Sequence, residues 1–134
     1  LFPDRDPNGW ETNDGSIVAM LIFGNNRFLL TGDAPEGVEK YVAGVRGASL
    51  HAQVLKLGHH GSKTSSSEIF LAAVSPEYAV VSAGKDNQYG HPHKEVIDRV
   101  KNMGIPIFST TESGTIVFTS DGETVRVAEK SLIW

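Results

Sequence analysis

Short apolar runs alternate with helical apolar stripes along most of this 134-residue chain. The first two runs, residues 16–23 and 27–31, are separated by Gly24-Asn25-Asn26, a spacing that is typical of a β-hairpin. Each of the next three runs is preceded by a segment in which apolar residues recur every three or four positions, as on a helix. The alternation predicts the order β-β-α-β-α-β-α-β-β-β. It favours an α/β fold with a mixed sheet covered by helices.

Turn residues set the boundaries of the predicted strands. Residues 16–23 are apolar almost throughout, which favours a strand buried on both faces. Asp121-Gly122 is a strong turn signal, so we expect a C-terminal β-hairpin. The other predicted strands are residues 53–57, 78–82, 105–109, 115–120 and 123–128. Residues 1–14 are rich in proline, aspartate and asparagine and are predicted to form a loop or linker.

Three helices are predicted between these strands. Pro35 and Pro92 suit the first turns of the first and third helices, because proline lacks the N–H that a helix start leaves unused. Ser65 and Glu68 are spaced as a capping box for the second helix, residues 69–74. We interpret the hydroxyls of residues 64–67 as capping chemistry for the same reason.

Composition excludes several kinds of protein. The formal net charge is −4 and the basic residues are scattered, so charge gives no support for non-specific nucleic-acid binding. The chain has no cysteine, which excludes disulfides, cysteine zinc sites and thiol nucleophiles. No apolar run approaches the roughly 18 residues that a membrane helix needs. We therefore expect the chain itself to be soluble.

Polar residues suited to chemistry follow three of the predicted strands, at residues 31–33, 58–62 and 89–92. Strand carboxyl ends form the ligand-binding crevice of open α/β sheets, so we expect the three turns to converge. Asp33 and up to three imidazoles would then face each other. Zinc binds such oxygen and nitrogen donors at about 2.0–2.2 Å and, in catalytic sites, keeps a position for water. The adjacent histidines His59 and His60 therefore predict a ligand and its neighbour at a metal site.

Each of these residues has a plainer alternative. Asp33 could serve only as a helix cap, and His91 could be a simple N-cap residue. His93 falls in the predicted first helical turn and is expected at the surface. His51 lies in a polar loop and is left unassigned. No G-x-S-x-G motif is present, which disfavours a serine hydrolase.

Four segments resemble the metallo-β-lactamase superfamily, above all the β-lactamase-like domain of the ComEC competence proteins, which belong to DNA uptake. They are SIVAMLIFGNNRFLLTGD, VLKLGHHGSKTSSS, PEYAVVSAGKDNQYGHPHKEVIDRV and STTESGTIVFTSDG. The resemblance implies half of an αββα sandwich with metal ligands on loops along one edge. The chief ligand motif of that superfamily, His-x-His-x-Asp-His, is absent. We therefore expect residues 15–130 to be the C-terminal half of a metallo-β-lactamase-like domain.

The resemblance also implies roles for individual residues. Asp33 would bridge two metal ions, and His59 would be another ligand of Zn²⁺ or Mn²⁺, with one or two ions in the intact domain. His60 and His91 would be the catalytic residues that act on the substrate and transfer protons, with the alternative that His60 takes the place of His59 as the metal ligand. The candidates for substrate binding are Ser62, Asn87 and Tyr89.

Taken together, these features predict a fragment of a metal-dependent hydrolase, with phosphodiester bonds in DNA as the substrate during competence-type DNA uptake. We expect the isolated fragment to be inactive. Two alternatives stay open: an inactive half-domain or folding module, and a hydrolase of acyl substrates such as lactams or thioesters. The expected partners are DNA for the parent protein, the missing N-terminal half, and a second copy of the fragment. The parent is expected to be a membrane protein that carries this domain outside the lipid, although soluble relatives exist.

Overall fold

The computed structural model describes residues 1–128. Its main feature is a five-stranded sheet in the order β1-β2-β3-β4-β5. These strands are Ala19–Phe23, Asn26–Leu30, Val54–Lys56, Tyr78–Val81 and Ile107–Ser109. β1 is antiparallel to β2, and β2 to β5 are parallel to one another. The predicted mixed sheet is confirmed, although several of its strands are shorter than the sequence patterns suggested.

Helices connect the parallel strands, and a hairpin follows them. Helices α1 to α4 are Glu36–Arg46, Glu68–Val74, Lys94–Asn102 and the short Thr110–Ser113. Strands β6 and β7, Phe118–Ser120 and Val125–Val127, form the predicted C-terminal hairpin. The predicted element order is confirmed, with α4 and short 3₁₀ turns added. None of the helices within residues 1–128 is both long enough and apolar enough to span a membrane.

The three long helices cover one face of the sheet. Leu29 and Leu55 are register partners, and both are fully buried on this face. α1, α2 and α3 contribute Val42, Phe70 and Val100 to the same hydrophobic core. Right-handed crossovers between consecutive parallel strands place their helices on one side, which explains the arrangement.

The C-terminal hairpin covers part of the other face. The Phe118 ring lies 5.7 Å from the Tyr78 ring and 5.9 Å from the Phe108 ring, between ring centroids. Tyr78 and Phe108 belong to β4 and β5, so the hairpin covers that end of the sheet. These aromatic contacts fix the hairpin to the sheet through apolar burial.

The turn of the hairpin also docks onto the β1–β2 turn. The Asn25 N–H donates to the Gly122 carbonyl at 2.6 Å. Asn26 is 2% exposed, and its side-chain oxygen accepts a hydrogen bond from the Ser120 hydroxyl at 2.6 Å. Gly24 lies so close to Gly122 that a Cβ atom at position 24 would come within 2.4 Å of the Gly122 oxygen. Glycine is therefore required at this contact.

The expected burial of residues 16–23 on both faces is wrong. β1 is an edge strand, and Leu21, Ile22 and Phe23 are 59%, 58% and 56% exposed. An apolar run indicates a strand. It does not show whether other elements lie beside that strand or cover both of its faces. With Leu30, which is 49% exposed, these residues form a surface that we call the apolar edge.

The predicted capping box at Ser65 is also wrong. The cap of α2 is Ser67, whose hydroxyl accepts a hydrogen bond from the Phe70 N–H. The Ser65 hydroxyl is used elsewhere, on the Ala34 carbonyl at 2.7 Å. Glu39 explains the shift, because its buried carboxylate accepts the N–H groups of residues 66 and 67 at 2.7 and 2.9 Å. Burial raises the pKa of Glu39.

The third helix begins two residues later than predicted. α3 starts at Lys94, and His93 rather than His91 occupies its N-cap position. The alternative in which His91 serves only as a cap is therefore wrong. Helix starts are uncertain by one or two residues when they are read from sequence, and here that uncertainty changes which histidine faces the strand ends.

The N-terminal segment lies against α1. Phe2 pairs with Val18 through two backbone hydrogen bonds and is 5% exposed. Its ring stacks on Trp10 and meets Tyr41 of α1 edge-on. The predicted loop is thus irregular in backbone, apart from the 3₁₀ turn Thr12–Gly15, but is held by core contacts.

Candidate functional site

Three turns meet beside the carboxyl ends of the parallel strands. They are residues 31–33 after β2, the 3₁₀ turn Gly58–Gly61 after β3, and residues 91–93 before α3. Parallel strands point their carboxyl ends to the same edge, so consecutive βα units place their turns side by side. The structure thus brings together the turns that the sequence singled out. We call this place the strand-end site.

Backbone hydrogen bonds hold these turns together. The His59 N–H donates to the Gly32 carbonyl at 3.0 Å, and the His93 N–H donates to the Gly61 carbonyl at 2.9 Å. The Lys56 ammonium also donates to the Gly32 carbonyl, at 3.2 Å, and burial lowers its pKa. Sequence reasoning missed Lys56, although a lysine within a mainly apolar strand just ahead of paired histidines was a usable signal.

The backbone of the paired histidines is strained. His59 and His60 have φ angles of 48° and 56°, in the left-handed region that residues with a Cβ rarely adopt. Such conformations cost on the order of 1–3 kcal/mol each, and they often occur at functional sites. Gly61 follows with φ 79°, and a Cβ atom there would lie 2.7 Å from the Pro92 Cβ. The turn therefore needs glycine after the histidine pair.

Asp33 lies opposite His60. The His60 Nε2 is 3.5 Å from the Asp33 Oδ1, and both side chains are roughly half exposed. The His60 Nδ1 lies 2.7 Å from the Ser82 carbonyl and must donate to it, because a carbonyl only accepts. Nε2 is thus the nitrogen that faces Asp33, where it can hold a proton or share a cation with the carboxylate.

His91 lies among the other imidazoles. Its ring centroid is 5.6 Å from that of His59, 6.4 Å from that of His60 and 4.9 Å from that of His93. Burial lowers the pKa of His91, and the neighbouring histidines lower it further. His91 is therefore neutral at pH 7 and able to accept a proton.

His93 is a member of this cluster that sequence reasoning placed at the surface. Its Nδ1 accepts a hydrogen bond from the Lys63 N–H at 3.2 Å, so the proton of the neutral ring sits on Nε2. The His91-Pro92-His93 alternation was the available signal, because two histidines two positions apart can face the same opening. His51, which was left unassigned, bonds the Val74 carbonyl instead.

A small cavity of about 200 Å³ opens beside His60 and His91. Asn87 and Tyr89 line it as well, and Tyr89 is 68% exposed with its ring stacked 5.8 Å from that of His91. The Asn87 amide is occupied by the loop itself: it accepts the His91 N–H and donates to the His91 and Gly84 carbonyls. Asn87 therefore shapes the loop that carries His91.

Ser62 lies deeper than the other predicted substrate-binding residues. It is 4% exposed, and its hydroxyl lies 3.1 Å from that of Thr64. Thr64 in turn lies 3.3 Å from the His59 Nδ1. Ser62 thus contributes to the turn that orients His59, and a direct substrate contact stays a prediction.

The donor atoms fit a metal ion only in part. Two ligands of one tetrahedral zinc lie about 3.4 Å apart when each bond is about 2.1 Å, close to the separation of His60 Nε2 and Asp33 Oδ1. Over residues 1–128, however, no three histidine, aspartate or glutamate side chains are arranged to hold an ion. His60 is the histidine that faces Asp33. This favours the alternative in which His60 is the ligand, and the assignment of His59 stays a prediction.

Comparisons with known proteins point to competence. The chain is 46% identical over 108 residues to Competence protein ComA of Neisseria gonorrhoeae, which covers 81% of this chain and 16% of that protein. It is 38% identical over 118 residues to ComE operon protein 3 of Bacillus subtilis, covering 88% of this chain and 15% of that protein. The chain is homologous to part of these competence proteins.

A third relative extends the comparison. Recombination protein 2 of Haemophilus influenzae is 38% identical over 104 residues, covering 78% of this chain and 13% of that protein. The chain thus spans less than a fifth of the length of each of these three relatives. No family model matches the chain. Membership of the metallo-β-lactamase superfamily therefore stays a prediction, whereas the relation to competence proteins is established.

Proposed function

We propose that this chain is the part of a competence protein that contributes Asp33 and its neighbouring histidines to a metal-dependent phosphodiesterase of the metallo-β-lactamase type. One observation carries the proposal. Asp33 and four imidazoles, on three separate turns, share the strand-end site within a segment homologous to competence proteins. DNA is the proposed substrate because competence is the uptake of DNA.

The metal would be held by Asp33 and His60, with His59 close by and further ligands from outside residues 1–128. When bound, a divalent ion supplies Lewis-acid stabilisation of the negative charge that develops on phosphate oxygens. Zn²⁺ and Mn²⁺ both accept imidazole and carboxylate donors. The proposed ion and its identity can be tested separately from the fold, because backbone bonds hold the turns.

The proton chemistry falls to His91. Its lowered pKa leaves it neutral at pH 7, so it serves as an acceptor for a proton released during hydrolysis. The exposed Tyr89 ring, stacked beside it, offers a flat face on which a DNA base can lie. His91 and Tyr89 would thus act on the substrate from the cavity side, and Asp33 and His60 from the metal side.

We expect His60→Gln to reduce the rate of DNA cleavage by the intact parent protein by about 10²-fold. Loss of a group that transfers a proton typically lowers the rate by at least that factor. His51→Gln is the matched control, since His51 bonds a backbone carbonyl away from the strand-end site. Initial rates on labelled single-stranded and double-stranded DNA, with Mn²⁺ or Zn²⁺, give the measurement. Full activity of His60→Gln would contradict the proposal.

Acyl hydrolysis is an alternative chemistry for the same groups. A fold does not determine its substrate, and a carboxylate–imidazole metal site hydrolyses esters, thioesters or lactams as readily in principle as phosphodiesters. A panel of bis-(p-nitrophenyl) phosphate, a thioester and a lactam, assayed with the intact parent, separates the classes. Cleavage of the acyl substrates alone would replace the phosphodiesterase assignment.

A folded module without activity of its own is the second candidate. The incomplete set of metal ligands within residues 1–128 favours it for the isolated chain. Calorimetry with zinc discriminates between the two, because a complete site binds the ion tightly. Sub-micromolar zinc binding that is lost in Asp33→Asn would show that the isolated chain already holds a full site.

The apolar edge fits the partners that we propose for this module. An exposed edge strand presents unpaired N–H and C=O groups and invites another strand to pair with it. Leu21 and Ile22 of β1 are both more than half exposed. In the parent protein, we propose that the missing N-terminal half of the domain covers this surface. In the isolated chain, a second copy takes its place.

We expect the isolated chain to self-associate at high concentration and the double variant Leu21→Lys/Ile22→Lys to stay monomeric at 14.5 kDa. Lysine on an edge strand opposes pairing with another strand, because its charge would be buried. Val45→Lys is the control, since Val45 is 57% exposed on helix α1 and does not belong to the edge strand. Sedimentation velocity between about 10 and 500 μM gives the mass. A strictly monomeric wild-type chain would remove this prediction.

A further inference from the structure

An aromatic cage lies between the N-terminal segment and α1, apart from the strand-end site. The Phe2 ring stacks on Trp10 with centroids 5.6 Å apart and meets Tyr41 edge-on at 5.9 Å. The guanidinium carbon of Arg5 lies 5.3 Å from the Trp10 centroid and 5.4 Å from the Tyr41 centroid. The cage thus already holds one cation, which the chain itself supplies.

Three acidic side chains surround the cage. Glu11 and Asp14 line the cavity, and Asp4 accepts a hydrogen bond from the Tyr41 hydroxyl at 2.6 Å. That hydrogen bond lowers the pKa of Asp4, so its carboxylate is ionised at neutral pH. These three carboxylates outnumber the guanidinium groups of Arg5 and Arg46, which both act on Asp4, so the side chains give the cage a negative balance that attracts cations and repels phosphate.

The cavity has more room than Arg5 fills. Its volume is about 500 Å³, which lies within the range of small-ligand sites. Arg5 is exposed, and it forms no ion pair with any residue among positions 1–128. A cation held only over partly exposed ring faces, with no ion pair, is weakly held, so another cation can displace it.

We propose that the cage binds an arginine side chain of a partner protein in the place that Arg5 now occupies. An incoming planar guanidinium can stack on Trp10 and Tyr41 as Arg5 does. Unlike Arg5, which pairs with no carboxylate among positions 1–128, it would also donate to Glu11 and Asp14, which line the cavity. A nucleobase would also stack on Trp10, but its phosphate would face the three carboxylates. Arg5 is then an internal competitor for the site.

Fluorescence of Trp10 in a Trp134→Phe background tests this proposal. The probe is N-acetyl-arginine amide, and the uncharged N-acetyl-citrulline amide, which has nearly the same shape, is its control. We expect a saturable change with the arginine probe alone. Arg5→Ala should tighten that binding at least about threefold, because the competitor is gone. Glu11→Gln with Asp14→Asn should weaken it at least about fivefold, because the rim loses its charge.

Three results would overturn the proposal. One is the absence of a saturable fluorescence response to the arginine probe both in the Trp134→Phe chain and in the same chain with Arg5→Ala. Another is weaker binding in Arg5→Ala, since Arg5 would then belong to the site rather than compete for it. The third is tighter binding of thymidine 5′-monophosphate than of the arginine probe, which would make the cage a nucleobase site.

Discussion

Replacing Gly24 by alanine should lower the free energy of unfolding of this chain by about 3 kcal/mol. The added Cβ atom would lie 2.4 Å from the Gly122 oxygen and 2.7 Å from the Gly122 Cα. Both atoms belong to the backbone, so the two turns must separate to make room. Gly24 also has φ +57°, a conformation that alanine adopts only with strain. Steric overlap and backbone strain therefore add.

Gly104→Ala is the matched control for this effect. Gly104 has φ +75°, but no atom lies within 4 Å of the Cβ position. This variant should lose only the conformational part, about 1 kcal/mol. Urea unfolding, followed by circular dichroism, gives the free energy of unfolding of both variants and of the unsubstituted chain. Equal losses at the two positions would mean that the hairpin turn does not dock on the β1–β2 turn.

The second large effect concerns Asp33. We expect Asp33→Asn to reduce DNA cleavage by the intact parent at least about 10²-fold, in the range typical of lost acid–base or ligand groups. Asparagine keeps the shape of the side chain but removes the charge that faces the His60 Nε2 at 3.5 Å. The fold should be unaffected, because Asp33 is partly exposed and backbone bonds hold its turn. Initial cleavage rates and thermal unfolding, measured on the same samples, test both halves of this expectation.

Asp98→Asn serves as the control for a lost carboxylate. Asp98 lies on α3 and pairs with Lys94 on the protein surface. Such exposed pairs contribute little to stability. The parent protein with Asp98→Asn should therefore match the unsubstituted parent protein in both its DNA-cleavage rate and its unfolding temperature. Unreduced cleavage in Asp33→Asn would remove the carboxylate from the chemistry, and the phosphodiesterase proposal with it.

The order of strands and helices could be predicted because its signals are local. The helical apolar spacing ahead of β3, now seen as α1, and the Asp121-Gly122 turn depend only on neighbouring residues, and both predictions proved correct. The edge position of β1 could not be predicted in this way. Exposure of Leu21 depends on which strands surround it, and an apolar run contains no information about neighbours that are distant in sequence.

The sequence predicted which turns meet at the strand-end site, but not which side chains face one another there. The rule that strand carboxyl ends converge correctly brings Asp33 to the paired histidines and His91. Which histidine faces Asp33 depends on the left-handed conformations of His59 and His60, which propensity rules treat as improbable for such residues. His93 was missed because the start of α3 was placed two residues early.

The carbonyls of Gly32 and Gly61 join the three turns through backbone hydrogen bonds, to which the His93 ring adds one from the Lys63 N–H. We therefore expect substitutions at His59, His60 or His91 to leave the backbone contacts between the turns in place, so that related chains could carry other side chains on the same frame. Because backbone bonds hold the turns, the strand-end site is also suited to the design of a different set of donor side chains.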